Sequence, residues 1–116
     1  MPRSTNAVSS RRKRKKILKL AKGFYGSRSK VYTVAKNAVE KSFIYAFSGR
    51  KKKKRNFRSL WIQRINAGVR QYGKSYSEFM SKLSQKKIKI NRKILSYISI
   101  NDPNIFKKMI DDVYSQ

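Results

Sequence analysis

The sequence predicts an all-α protein, in which a long, basic, mostly helical N-terminal extension precedes a small C-terminal helical domain. Two observations predict it: apolar residues recur at helical spacing in most segments, and the positive charge is concentrated in the first part of the chain. Residues 1–74 hold 23 Lys/Arg and one acidic residue, whereas residues 75–116 hold 8 Lys/Arg and 4 acidic residues. We therefore predict a basic extension over 1–74 and a three-helix globular domain over 75–116.

The C-terminal segment contains start signals for three helices. Ser75 with Glu78 has the spacing of a capping box, and Asn91 is a suitable N-cap for a second helix. Asp102 before Pro103 predicts a cap followed by proline at the first helical position. Because short helices are unstable alone, we expect their apolar stripes to pack together, with help from the preceding helix. The stripes comprise Phe79, Met80 and Leu83; Ile94, Leu95 and Ile98; and Ile105, Phe106, Met109, Ile110, Val113 and Tyr114.

The first part of the extension predicts a tail and one very basic helix. Residues 1–9 are small and polar, typical of an extended tail, and Ser9 or Ser10 is a candidate cap for the helix that follows. The cationic run 11–16 continues into an apolar strip that is too narrow to drive folding in water. We expect this helix to become ordered only when phosphates neutralise it.

Two further helices are predicted in the extension. The glycines of segment 23–26 indicate a turn, and helical periodicity extends from about residue 28 to residue 47. Ser48 and Gly49 predict a break, and a second helix is expected over about 52–72, ended by Gly73 as a C-terminal cap glycine.

Composition excludes several functional classes. The chain has no Cys, which rules out disulfides and thiolate sites, and no His, the usual acid–base residue and metal ligand. Asp111 and Asp112 are adjacent, so on a helix they point about 100° apart and do not form a carboxylate pair. We predict no enzyme, no metal, no cofactor and no small-molecule substrate. No apolar run is long enough for a membrane span, and the first ten residues are not typical of a secretory signal.

The net charge of +26 predicts a polyanionic partner, and 22 of those charges belong to residues 1–74. Four alternatives to RNA binding follow from the same residues: a transit peptide in the first 22 residues, a nuclear address at 50–55, a DNA-compacting or regulatory protein, and a cationic membrane-active helix. The last is weakened because lysines surround residues 11–22 instead of occupying one face.

Phosphate contacts are expected from cations, and base stacking from aromatic side chains beside them. Phe24 and Tyr25, between two glycines, fit either RNA contact or packing; Phe43, Phe47 and Trp61 are interpreted as helix-packing residues. The predicted RNA-binding residues are Arg3, Arg11, Arg12, Lys13, Arg14, Lys15, Lys16, Lys19, Lys22, Phe24, Tyr25, Arg28, Lys30, Arg50, Lys51, Lys52, Lys53, Lys54, Arg55, Arg58, Arg64 and Arg70.

Several segments resemble, in order, those of the bacterial-type L-twenty family of the large ribosomal subunit. They are Met1-Pro2-Arg3, Arg11–Lys16, Ala21–Gly26, Thr33–Val39, Lys54–Ala67 and Ser75–Phe79, and Asn91–Leu95 also fits. The stretch R-x-L-W-I-x-R-I-N-A at Arg58–Ala67 is the most specific of them. The C-terminal helices depart from the family pattern in being rich in Ser and Ile, and the extension in being dominated by Lys. Because the resemblance starts at Met1, it disfavours the transit-peptide and nuclear-address interpretations.

The resemblance implies an all-helical protein whose basic extension threads through large-subunit rRNA, while a small C-terminal domain lies on the RNA near the subunit exterior. It also implies direct, early rRNA binding that supports subunit assembly, contacts with neighbouring ribosomal proteins, and a place in the cytoplasmic ribosome of a bacterium or in an organellar ribosome. Some family members repress translation of their own message.

Overall fold

The computed structural model describes Arg3 and residues 5–115. Met1 and Pro2, which belong to the resemblance, lie outside the described residues, as do Ser4 and Gln116. The described part of the chain is helical and contains no strand, which confirms the all-α prediction. Its elements are α1 (Ala7–Leu20), a 3₁₀ turn (Gly26–Ser29), α2 (Tyr32–Arg70), α3 (Tyr76–Gln85), α4 (Arg92–Asn101) and α5 (Pro103–Tyr114).

The chain divides into two compact units, Met1–Lys51 and Lys52–Gln116. The first contains α1, the 3₁₀ turn and the start of α2; the second contains the rest of α2 with α3, α4 and α5. The sequence-based division between residues 74 and 75 separates the chain by charge, and it stays a prediction. No helix in the described part of the chain is both long and apolar enough to cross a membrane.

Helix α2 is one long helix where two shorter ones were expected. The predicted break at Ser48 and Gly49 is therefore wrong. The helix continues through both residues to Arg70. A glycine in a helix interior costs only about 1 kcal/mol relative to alanine, and good helix formers follow at 50–55. After the helix, Gly73 has a positive φ of 73°, as predicted for a glycine that ends a helix.

Helix α1 begins earlier than predicted. It starts at Ala7, so the last residues of the expected tail are helical, and its N-cap is Asn6 instead of Ser9 or Ser10. The Asn6 side chain makes no capping hydrogen bond; Ser9 Oγ donates to the Asn6 carbonyl at 3.1 Å. The serine therefore stabilises the first turn from inside the helix.

The core of the N-terminal unit is small. It consists of buried Ala21, Ala35 and Val39, with Ile17, Leu18 and Phe24 partly buried against them. The predicted packing of Phe43 and Phe47 is wrong, since each is 58% exposed. Both side chains lie outside the small core of this unit, so helical spacing among apolar residues does not result in burial there.

The C-terminal unit has the larger core, and α2 contributes to it as expected. Ile65 and Val69 of α2 pack with residues of α3, α4 and α5. The other buried members are Phe79, Leu83, Leu95, Phe106, Ile110 and Val113. Two predicted stripe residues lie on the surface, Ile94 at 48% exposure and Ile105 at 53%. Each stands at the edge of its stripe, where the neighbouring helices no longer cover it.

The predicted caps of the C-terminal helices are confirmed in two cases of three. Ser75 and Glu78 form a complete capping box at α3, and the Asn91 side chain accepts from Ile94 N at 2.9 Å at α4. Asp102 occupies the cap position before Pro103, yet its side chain makes no capping hydrogen bond.

Candidate nucleic-acid interface

All 20 Lys and Arg side chains predicted to bind RNA are exposed. Except for Arg3, which precedes α1, they belong to α1, to the segment that links it to α2, and to α2, so most are attached to helical backbone. Exposure on ordered helices makes each cation available to a phosphate without the cost of uncovering it.

Helix α1 is an almost uninterrupted cationic rod. Seven of its 14 residues are Lys or Arg, no acidic residue accompanies them, and none of its residues is buried. The guanidinium of Arg14 lies over the ring of Tyr32, 5.6 Å from its centroid, at the start of α2. This cation–π contact holds one arginine of α1 while leaving its N–H groups for a ligand.

A second concentration of charge lies inside α2, at Arg50–Arg55. Because successive residues of an α-helix are about 100° apart, six consecutive cations surround the helix. Arg58, Arg64 and Arg70, spaced six apart, are separated by about 120° and do not share one face. These cations suit RNA that approaches α2 from several sides rather than a single flat surface.

Exposed aromatic rings accompany the cations of α2. Lysine ammonium groups lie 5.5 Å from the ring centroid of Tyr45, 5.3 Å from that of Phe47 and 5.9 Å from that of Phe57. The Phe57 and Trp61 centroids are 6.3 Å apart, with the rings tilted by 30°. Adjacent rings and cations are the combination that binds unpaired bases and their phosphates.

Phe24 and Tyr25 have different surroundings, although they are neighbours in sequence. Tyr25 is 94% exposed, whereas Phe24 is partly buried against the small core of the N-terminal unit. Tyr25 is available for stacking on a base. Phe24 packs, as one of its two possible roles required, and it also lines a surface groove with Arg28. Its contact with RNA stays a prediction.

The sequence analysis missed some cations that lie beside aromatic rings. It also did not distinguish cations that are free to bind RNA from cations that bond to other groups of the protein. Lys41, beside Tyr45, was not predicted; its i, i+4 spacing from an exposed aromatic is a signal that points to it. Lys74 lies 4.6 Å from the ring centroid of Tyr114. Lys86 Nζ donates to the carbonyls of Asp112 and Ser115, and Arg92 Nε donates to Tyr76 Oη at 2.7 Å. These last partners are distant in sequence, so only the fold reveals them.

The acidic residues form no chemical site in the described residues. No group of three or more His, Cys, Asp or Glu side chains lies close enough to hold a metal there. Burial, and secondly the carboxylate of Glu78, raises the pKa of Tyr114 above its ordinary value. Its hydroxyl is buried without a hydrogen-bond partner within the described part of the chain, in a helix-packing position of α5.

Comparison with known proteins identifies the family of the chain. The family profile described as "Ribosomal protein L20" matches residues 3–109. A "Large ribosomal subunit protein bL20" from Cytophaga hutchinsonii is 58% identical over 113 residues, which cover 97% of this chain and 98% of the relative. The protein of that name from Karelsulcia muelleri is 61% identical over 110 residues, covering 95% and 92%, and the one from Flavobacterium johnsoniae is 58% identical over 113 residues, covering 97% and 99%.

These matches extend along nearly the whole chain, through both compact units. The family consists of structural constituents of the large ribosomal subunit, found on the ribosome in the bacterial cytoplasm, and not of enzymes. The cationic helices and aromatic rings suit such a protein, and the similarity over nearly the whole chain shows that it belongs to the ribosomal protein L20 family.

Proposed function

We propose that this chain binds large-subunit rRNA directly and supports early assembly of the subunit. The observation that carries the proposal is the exposure of all 20 predicted cations, 19 of them on α1, on the segment that links it to α2 and on α2, with aromatic rings between them. Binding is then the function: the cations hold RNA segments together that otherwise repel one another.

RNA suits this surface better than duplex DNA. Unpaired bases in loops and bulges can stack on exposed rings, and the described surface offers Tyr25, Tyr45 and Phe47 for that purpose. A duplex keeps its bases stacked and presents mainly phosphates, which would leave these rings unused. The cations surrounding α2 at 50–55 likewise suit several RNA strands around one helix.

The N-terminal unit is proposed to become ordered on RNA. Its core has three buried side chains, two of them alanines, which provide little burial for a segment with 15 Lys/Arg and one acidic residue in residues 1–51. Neutralisation by phosphates removes the self-repulsion that opposes folding. We expect free protein to have a folded C-terminal unit and poorly dispersed amide signals from residues 5–25, and these signals should become dispersed when an rRNA fragment is added.

Neighbouring ribosomal proteins are the second proposed class of partner. Phe43 and Ile44 are 58% and 61% exposed at adjacent positions of α2, and no RNA contact is proposed for either of them. Large apolar side chains exposed together on a surface commonly mark a protein contact, so a contact in the assembled subunit accounts for them. By family resemblance, the same RNA-binding surfaces are proposed to recognise the protein's own message.

Competition binding tests the choice of nucleic acid. Full-length protein bound to large-subunit rRNA fragments is challenged with unlabelled rRNA or duplex DNA at about 150–200 mM salt. We expect rRNA to displace the labelled fragment at much lower concentration. Equal competition by duplex DNA would instead support a DNA-compacting protein, and leakage of dye from anionic vesicles would support a membrane-active helix.

The salt dependence tests the assignment of residues. Replacing the cations of run 11–16 by Gln is expected to reduce the slope of log K against log salt by about 0.7–0.9 for each phosphate that the variant no longer neutralises. Lys107→Gln/Lys108→Gln, in exposed residues of α5 outside the predicted set, is the matched control and should leave the slope nearly unchanged. Co-sedimentation of wild-type protein with the large subunit after a high-salt wash tests membership of the subunit itself.

A further inference from the structure

A groove of about 630 Å³ lies in the N-terminal unit, between the turn and α2. Phe24 and Arg28 line it from the turn region, and the remaining lining residues come from successive turns of α2. Those residues are Val34, Asn37, Ala38, Lys41, Ser42 and Tyr45. Its size is within the range of small-ligand sites, and the packed α2 backbone forms one wall.

Two aromatic side chains line the groove, and they differ in exposure. Phe24 is held by contact with the buried alanines and valine of the small core. Tyr45 is 64% exposed, with Lys41 Nζ 5.5 Å from its ring centroid. A half-buried ring and an exposed ring in one groove provide stacking surface for a flat aromatic ligand.

The polar side chains of the groove are of the types that can recognise a nucleotide. The Asn37 amide offers a donor and an acceptor side by side, the pattern that pairs with the N6 and N7 atoms of adenine. Arg28 and Lys41 supply two cations, and no lining residue is acidic. The Ser42 hydroxyl already donates to the Val39 carbonyl at 2.7 Å, so its oxygen remains as an acceptor.

We propose that this groove holds a single unpaired adenine base of the rRNA, with a flanking phosphate against Arg28 and Lys41. This inference rests on the proposed function and deepens it, because it assigns a base-reading site to a unit whose other cations contact phosphates without regard to sequence. A cationic ligand is disfavoured by charge, since residues 1–51 have a net charge of +14.

The test compares binding of full-length protein to oligo(A) and oligo(U) ribonucleotides of equal length. Wild-type protein is expected to prefer oligo(A) by about 5- to 150-fold, the range for one good bidentate contact. Asn37→Leu removes the amide pair and should abolish this preference without changing the salt slope. Asn56→Leu, at an exposed α2 position outside the groove, is the matched control and should retain the preference.

A second pair of variants tests the stacking. Tyr45→Leu is expected to weaken oligo(A) binding by about 5- to 150-fold, the effect of removing one stacking ring, whereas Tyr45→Trp retains it. Tyr45 is exposed, so neither change is expected to disturb folding, and far-ultraviolet circular dichroism checks this.

The outcomes separate this inference from the proposed function. Equal affinity of wild-type protein for oligo(A) and oligo(U), or a retained preference in Asn37→Leu, overturns the base site. If the same wild-type protein still prefers large-subunit rRNA to duplex DNA at about 150–200 mM salt, the proposed function stands without it. Loss of that rRNA preference would instead remove the proposed function.

Discussion

Gly68 provides a quantitative test of how α2 packs in the C-terminal unit. A Cβ built at this residue would lie 2.9 Å from Phe106 Cε1 and 3.3 Å from Ser99 Cβ. Non-bonded carbon atoms prefer separations of about 3.5–4.0 Å, so the new methyl group has no room. Phe106 is 1% exposed and packs edge-on against Phe79, with ring centroids 5.9 Å apart, so its ring has nowhere to move.

Two opposing terms set the expected effect of Gly68→Ala. Alanine in a helix interior is more favourable than glycine by about 0.8–1.0 kcal/mol, and overpacking a filled core costs about 1–3 kcal/mol. The net expectation is a loss of about 0–2 kcal/mol in unfolding free energy. Ala67→Gly, one residue earlier and exposed, measures the propensity term alone and should cost about 1 kcal/mol.

Urea unfolding followed by the fluorescence of Trp61 is the appropriate assay, because the chain has one tryptophan and it lies in the C-terminal unit. The steric cost is the measured loss for Gly68→Ala plus the loss for Ala67→Gly. We expect that sum to be about 1–3 kcal/mol. If Gly68→Ala instead stabilises the protein by as much as Ala67→Gly destabilises it, the close approach of α2 to Phe106 is refuted.

Three further variants test local features. Ser75→Ala removes the capping box with Glu78 and should cost about 0.5–2 kcal/mol in thermal unfolding, whereas exposed Ser77→Ala should change little. Gly49→Ala should increase helicity and stability by up to about 1 kcal/mol, because no atom beyond the adjacent residues and the local helix backbone lies within 4 Å of the new Cβ; a loss of stability would contradict this open space. Tyr114 has its folded-state pKa raised by burial and then by Glu78, so its contribution to stability is present below the unfolded pKa of about 10 and is lost as pH rises above it. Tyr114→Phe should therefore reduce the loss of stability between about pH 8 and about pH 10.5, measured by urea midpoints, and an unchanged pH dependence would contradict this.

Features set by neighbouring residues were predictable from the sequence. The capping box of Ser75 and Glu78, the Asn91 cap and the positive φ of Gly73 each depend on a few adjacent positions, and all three are confirmed. The helical class followed in the same way from periodicity. The break at Gly49 was predicted wrongly, because a penalty of about 1 kcal/mol for one glycine does not outweigh a helix that continues on both sides.

Features that depend on distant residues were not predictable. Periodicity assigns a residue to a stripe, but whether Ile94 or Phe43 is covered depends on which helix lies opposite. The same applies to the binding residues: composition identified the cations, whereas the groove needed Phe24 and Asn37 brought together from different elements.

The amino-acid order therefore determined the charge, its concentration before residue 75 and the helical class, and it predicted a polyanionic partner, since each follows from composition or from short-range spacing. Folding decided which apolar side chains became core, which cations obtained structural partners such as the Asp112 carbonyl for Lys86, and which aromatic rings stayed exposed beside lysines. The physical reason is that burial and contact depend on residues far apart in the chain, and a sequence pattern does not specify their separation in space.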